Sequence, residues 1–154
     1  MSETVIIAPH CDDEIIGAYK YLVNNNPIII YDADMPHERK QEALKLKEHV
    51  KIKVQLFQKD FPTHLASNST ILAPDPYFEI HPSHRRWAFI AEQWARAGAN
   101  VIFYNTIMNA PYIHECKNPY DKERLLNLIY PSQKSLWEYE KKYILFEGYN
   151  QWIF

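Results

Sequence analysis

Apolar runs alternate with helically spaced stretches along the first hundred residues. Residues 4–9 form a short apolar run that predicts a buried strand. From Asp13 to about Asn24 the spacing becomes helical, with Ile15, Ile16, Tyr19 and Leu22 on one face, and Asn24-Asn25-Asn26-Pro27 stops it. Ile28-Ile29-Ile30-Tyr31 predicts a second buried strand ending at Asp32 and Asp34. Pro36 opens a helix to about Val50 that turns Ala43, Leu44 and Leu46 inward, and Val54-Gln55-Leu56-Phe57 predicts a third strand. This β-α-β-α-β order argues for a parallel, doubly wound α/β sheet.

Beyond it, residues 58–70 read as a loop, and Ile71-Leu72-Ala73 as a fourth strand ahead of Pro74-Asp75-Pro76. A helix is predicted from Pro82 to about Ala97, ended by Gly98 as its C-cap, followed by a fifth strand at Val101–Tyr104. Residues 106–118 form a polar, proline-containing loop. Tyr120–Leu128 reads as a helix running up to Pro131, and Gln133 to about Lys142 as another. With no internal repeat, low-complexity segment or linker, residues 1–154 are expected to form one domain.

Composition narrows the classes of function. A chain of 154 residues, 47% hydrophobic and 23% charged, can bury a full core without disulfides. The formal net charge of −2, from 17 basic and 19 acidic residues, gives no basic stripe for nucleic acid; the lysines and arginines of 39–53 are interrupted by Glu42 and Glu48 and read as a solvated helix face. Neither a leader nor a membrane span is expected, since the N-terminus runs directly into a strand and no apolar stretch reaches about 18 residues. Cys11 and Cys116 lack metal-type spacing, which points to the cytoplasm and to Cys11 as a small buried thiol. Only three glycines occur, scattered at 17, 98 and 148, so a phosphate-cradling loop is absent. Aromatics reach 14% and are assigned to core packing.

The chemistry concentrates in two clusters. Pro9-His10-Cys11-Asp12-Asp13-Glu14 follows the first strand, at the carboxyl edge where open α/β sheets place ligands, and His81-Pro82-Ser83-His84 opens the later helix. A catalytic zinc takes three ligands from His, Asp, Glu or Cys and leaves a place for water; His10, Asp13 and His84 supply two imidazoles and a carboxylate. Asp12 could then take a proton from the water, and His81, as an imidazolium, could stabilise an oxyanion. Taken singly, His10 reads as a core or cap histidine and Asp12 as a helix N-cap; their co-occurrence favours the metal reading. Glu14 reads as a first-turn charge or a support behind the ligands. His37, His49, His64 and His114 are assigned to the surface, and Asp32 or Asp34 is a candidate substrate contact.

These residues carry a resemblance. Pro9-His10-Cys11-Asp12-Asp13-Glu14 resembles the His-Pro-Asp-Asp-Glu signature of the PIG-L/LmbE family of zinc-dependent de-N-acetylases, and His81-Pro82-Ser83-His84 resembles its His-Pro-Asp-His motif. Two weaker similarities keep family order: Arg39-Lys40-Gln41-Glu42 with its Arg-x-x-Glu, and Lys122 followed by Tyr130-Pro131-Ser132-Gln133 with its late Lys…Ser-Gln segment. The resemblance implies a Rossmann-like three-layer fold with a mostly parallel sheet. It also implies hydrolysis of an N-acetyl group, from an N-acetylglucosamine moiety or another N-acetylated small molecule. His10, Asp13 and His84 would bind Zn2+, with Fe2+ the alternative metal. Asp12 would be the general base, His81 the oxyanion histidine, and Arg39 a contact to a substrate hydroxyl or acidic group.

This chain departs from the pattern in three ways. Cys11 replaces the proline after the first histidine, Ser83 replaces the acidic residue of the second motif, and the chain is short for the family. Trimmed substrate-covering loops imply either a small substrate or a pocket completed by another subunit of a homo-oligomer. Ser83 also sustains a rival reading, a sugar- or nucleotide-binding module of the same fold with weakened turnover. A phosphoryl-transfer domain is disfavoured because no Lys follows the fifth strand, where Asn105-Thr106 stands.

Overall fold

The computed structural model describes residues 3–61, 63 and 67–152. Its centre is a seven-stranded mixed sheet in the order β3-β2-β1-β4-β5-β7-β6. The strands are β1 (Glu3–Ala8), β2 (Ile28–Asp32), β3 (Val54–Gln58), β4 (Ser69–Pro74), β5 (Asn100–Tyr104), β6 (Ile113–Glu115) and β7 (Phe146–Asn150). The first five are parallel, while β7 pairs antiparallel with both β5 and β6. The five predicted strands are all present. The two antiparallel ones were not expected, because Ile113-His114-Glu115 and Phe146-Glu147-Gly148-Tyr149-Asn150 carry no continuous apolar run.

Among the described residues seven α-helices accompany the sheet: α1 (Asp13–Ile16), α2 (Tyr19–Asn24), α3 (His37–Leu44), α4 (Pro82–Arg96), α5 (Pro119–Ile129), α6 (Ser135–Tyr139) and α7 (Lys142–Leu145). Alternate residues of the central strand enter opposite cores, as a strand covered on both faces requires. Ile6 and Ala8 join Ile15, Leu22, Ala43 and Leu126 on one side, whereas Val5 and Ile7 join Trp87 and Ala91 of α4 on the other. Helices therefore pack on both faces. The chain runs outward from β1 through β2 to β3 and returns to place β4 beside β1. The carboxyl ends of β1 and β4 thus flank the switch point, where the loop 9–12 and the segment before α4 meet.

Three predicted helices are interrupted. The one expected from Pro36 to about Val50 ends at Leu44 and is followed by a 3-10 turn at Leu46–Glu48. The one expected over 13–24 breaks at Gly17-Ala18, where Tyr104 from β5 crosses close to the backbone; a Cβ on Gly17 would overlap its ring. The one expected over 133–142 is a 3-10 turn at Pro131–Gln133 followed by α6 and α7. α4 matches its expectation: Pro82 sits in the first turn and Gly98 adopts φ 100° just past the end, which a residue with a Cβ disfavours. The inward face of 13–24 also stands, with Ile15, Ile16, Tyr19 and Leu22 buried. Of the inward residues predicted on the next helix, Ala43 and Leu46 are buried and Leu44 is half-buried. Among the described residues no helix is long and apolar enough to cross a membrane.

Candidate metal centre and its cavity

His84 belongs to the stripe His84, Trp87, Ala88, Ala91 that α4 turns toward the sheet, so helical periodicity drives its imidazole inward. His10 and Asp13 come from the turn after β1, and the His10 N–H donates to Asp13 Oδ2 at 2.8 Å. The three side chains converge. His84 Nε2 lies 2.9 Å from Asp13 Oδ2 and 3.0 Å from His10 Nδ1, and His10 Nδ1 lies 3.5 Å from Asp13 Oδ2. Donor atoms on one face of a tetrahedral zinc site with bonds of about 2.0–2.1 Å stand about 3.3 Å apart. The cluster matches that face, and its donor set of two imidazoles and a carboxylate suits a divalent ion.

Electrostatics hold the cluster in register. Burial alone would raise the Asp13 pKa, but His84 and His10 outweigh it and hold the carboxyl below the usual range. Burial likewise opposes charge on His84, yet Asp13 and Glu79 lift its pKa to about 10. Glu79, which the sequence reading overlooked, is buried with Oε2 at 3.2 Å from His84 Nδ1. Thr106 fastens it: the backbone N–H donates to Oε1 at 2.7 Å, and the hydroxyl lies 2.9 Å from both carboxylate oxygens. A carboxylate on the far nitrogen of a ligating imidazole fixes its aim, so Nε2 can exchange its proton for a metal. The only sequence signal was a Glu two positions before the His-x-x-His pair.

Asp12 is buried and adopts φ 123°, ψ −24°, a conformation costly for a residue with a Cβ. Its side chain does not cap α1; it lies 3.3 Å from Arg39 Nη2. Burial and Asp13 hold the Asp12 carboxyl well above its ordinary pKa, with Arg39 opposing. Glu14 accounts for the backbone twist. The Asp12 N–H donates to Glu14 Oε1 at 2.9 Å, and the hydroxyls of Tyr31 and Tyr130 donate to Glu14 Oε2, Tyr130 at 2.7 Å. Glu14 is fully buried, and burial pushes its pKa up to about 7 despite these donors. It therefore supports the site from behind instead of serving as an exposed first-turn charge.

The two weaker sequence similarities touch. Ser132 donates its backbone N–H to Glu42 Oε2 at 3.0 Å and its hydroxyl to Glu42 Oε1, tying α3 to the turn before α6. From the same helix Arg39 reaches back to the Cys11 carbonyl and Asp12. Lys122 is fully buried and donates to the carbonyls of Ile16 and Phe146 at 2.9 and 3.0 Å, which makes it a structural tie between α1 and β7.

His81 sits at the N-cap of α4, with its ring centroid 4.4 Å from that of His10. Its Nδ1 accepts the Ser83 N–H at 3.1 Å, which leaves Nε2 to carry the proton of the neutral ring. Partial burial and the neighbouring imidazoles of His10 and His84 lower its pKa. The ring thus presents Nε2–H as a donor while its Nδ1 is held by the Ser83 backbone.

A cavity of about 290 Å³ opens on this group, lined by His10, Asp12, Asp13, Arg39, His81 and His84 together with residues of α6 and α7. All six predicted site residues meet there. Asp32 and Asp34 line a neighbouring cavity instead. Asp32 accepts from Trp87 Nε1 at 3.0 Å and lies 3.4 Å from Arg86, and Asp34 pairs with Lys59. Cys11 is fully buried, and burial pushes its thiol pKa up, so it is inert. His37, His49 and His114 are exposed, as expected; His64 lies outside the described residues. The chain matches no family model, no curated protein and no solved structure.

Proposed function

We propose that the protein is a metal-dependent amide hydrolase of the de-N-acetylase type, with the Rossmann-like architecture that its resemblance to the PIG-L/LmbE family implies. One observation carries this reading: His10, Asp13 and His84 present a tetrahedral ligand face at a cavity that also holds Asp12 and His81. A zinc-type ion held by these three residues would supply Lewis acidity, making a water more acidic and polarising an amide carbonyl.

The chain's own residues do the rest. Asp12 takes a proton from the attacking water and returns it to the leaving nitrogen. Arg39, 3.3 Å away, holds it in place. His81 offers its Nε2–H to the developing oxyanion from the N-cap of α4. Glu79 and Thr106 keep His84 aimed, and Glu14 keeps the Asp12 backbone in its twisted form.

The direct test is metal content of the wild type beside His84→Ala, followed by amine release from N-acetylated compounds. One divalent ion per chain, lost in the variant, together with amine release, supports the reading. Absence of a metal after zinc is added back sinks it. The backbone N–H on His81 Nδ1, where a carboxylate would charge the ring, favours a second reading, a binding module with weakened turnover. That reading predicts ligand binding without amine release.

A further inference from the structure

The cavity has two unlike walls. One carries the ligand cluster, Asp12 and His81. The other is built by Ile16 of α1, Ile107 of the loop after β5, Leu136 of α6 and Tyr143 of α7. Glu79 and Thr106 also line it, but they are committed to each other and to His84. Among the described residues, Arg39, Gln133 and the Tyr143 hydroxyl remain as polar groups for the rest of a substrate. Arg39 has a buried donor, Nε, with no hydrogen-bond partner among the described residues. The Arg39 side chain lines the cavity, and a carboxylate suits the fork of a guanidinium best.

A pyranose carries hydroxyls around its whole rim. Pressed against Ile16, Ile107 and Leu136, those hydroxyls would forfeit their hydrogen bonds to water without replacement. An aliphatic or aromatic side chain would gain from the same wall. The cavity lies at the small end of ligand sites, which suits one amino-acid residue better than a glycoconjugate.

Resting on the hydrolase reading, we propose that the amine half of the substrate is an apolar α-amino acid, so that the protein cleaves N-acyl amino acids such as N-acetyl-leucine or N-acetylphenylalanine. The amide faces the ligand cluster, the side chain packs on Ile16, Ile107, Leu136 and Tyr143, and the carboxylate, one carbon from the amide nitrogen, meets Arg39. Water oxygen bonds to the acyl carbon and the C–N bond breaks. The water proton passes through Asp12 to the departing nitrogen, giving a carboxylate and a free amino acid with no change of oxidation state.

The test compares four amides on the zinc-loaded full chain: N-acetyl-leucine, N-acetylphenylalanine, N-acetylphenethylamine, which keeps the ring and lacks the carboxylate, and N-acetylglucosamine. Amine release is measured on the wild type, and calorimetric binding on Asp12→Asn. Expected is a kcat/KM for both amino-acid derivatives at least about tenfold above the other two, with the same order in binding. Leu136→Asp, at a partly exposed position, should raise KM for N-acetyl-leucine by about tenfold with little change in kcat. A preference for N-acetylglucosamine, or equal turnover of all four, overturns the inference and leaves the hydrolase reading standing. Binding of the amino-acid derivatives without turnover supports the ligand class and overturns the hydrolase reading. Neither binding nor turnover of any of the four overturns both.

Discussion

Glu79 Oε2 stands 3.2 Å from His84 Nδ1, behind an imidazole whose other nitrogen faces Asp13 and His10. The carboxylate is buried and pinned by Thr106, so it cannot swing away. Glu79→Ala should weaken zinc binding by about 10- to 100-fold while the circular dichroism spectrum stays native. Competition against a chelating dye reads the affinity; an unchanged affinity would show that His84 is held by α4 alone.

Asp12 links strain to function. Asp12→Ala and Asp12→Gly both remove the carboxylate, and each should lower turnover by about a hundredfold or more while zinc stays bound. They differ in backbone freedom at φ 123°. The glycine variant should therefore be more stable than the alanine variant by about 1–3 kcal/mol, read by urea unfolding. Equal stability would mean that the turn relaxes once the side chain is gone.

Gly17 is a packing requirement. A Cβ there would meet the Tyr104 ring and crowd the Asp13 carbonyl at 3.1 Å. Gly17→Ala should cost about 1–3 kcal/mol by overpacking, with a lower Tm. Adding Tyr104→Leu should recover part of the loss specific to Gly17→Ala, measured against Tyr104→Leu alone.

Lys122 predicts a pH dependence. Burial lowers its pKa from 10.5 to about 8, partly opposed by Cys116 and Glu147. Between these values the unfolded chain holds a proton that the folded chain has released, so this group's contribution makes stability rise with pH from about 8 to about 10.5. Below about 8 its full penalty, on the order of 3 kcal/mol, is present. Lys122→Met removes this rise. The difference between wild-type and variant unfolding free energies at pH 7.5 and 10 isolates it from the tyrosines and cysteines. A flat difference would show that Lys122 titrates normally.

Local patterning carried much of the fold. Val5-Ile6-Ile7-Ala8 and Ile28–Tyr31 read as buried strands because strands covered on both faces are apolar throughout. Ser132 shows where such reading stops. Its contact with Glu42 joins segments 90 residues apart, and no periodicity reports a hydrogen bond of that range. The strands β6 and β7 were missed for a related reason: they lie in the antiparallel part of the sheet, where partly exposed and polar side chains are tolerated. Gly17 broke a helix whose apolar spacing was intact, since the obstacle, Tyr104, comes from a distant strand.

The candidate site divides along the same line. The sequence by itself determined that His10, Asp12 and Asp13 follow the first strand, and that His84 belongs to the inward stripe of α4, because strand order and helical period act over a few residues. Only the tertiary structure decided that the donor atoms of His10, Asp13 and His84 converge within 4.8 Å of one another, that Glu79 and Thr106 stand behind His84, and that His81 takes a backbone N–H from Ser83. It also decided that Ile16, Ile107, Leu136 and Tyr143, far apart along the chain, share one wall. Those outcomes depend on how the sheet and helices pack, and packing is set by contacts between residues that local sequence pattern treats as independent.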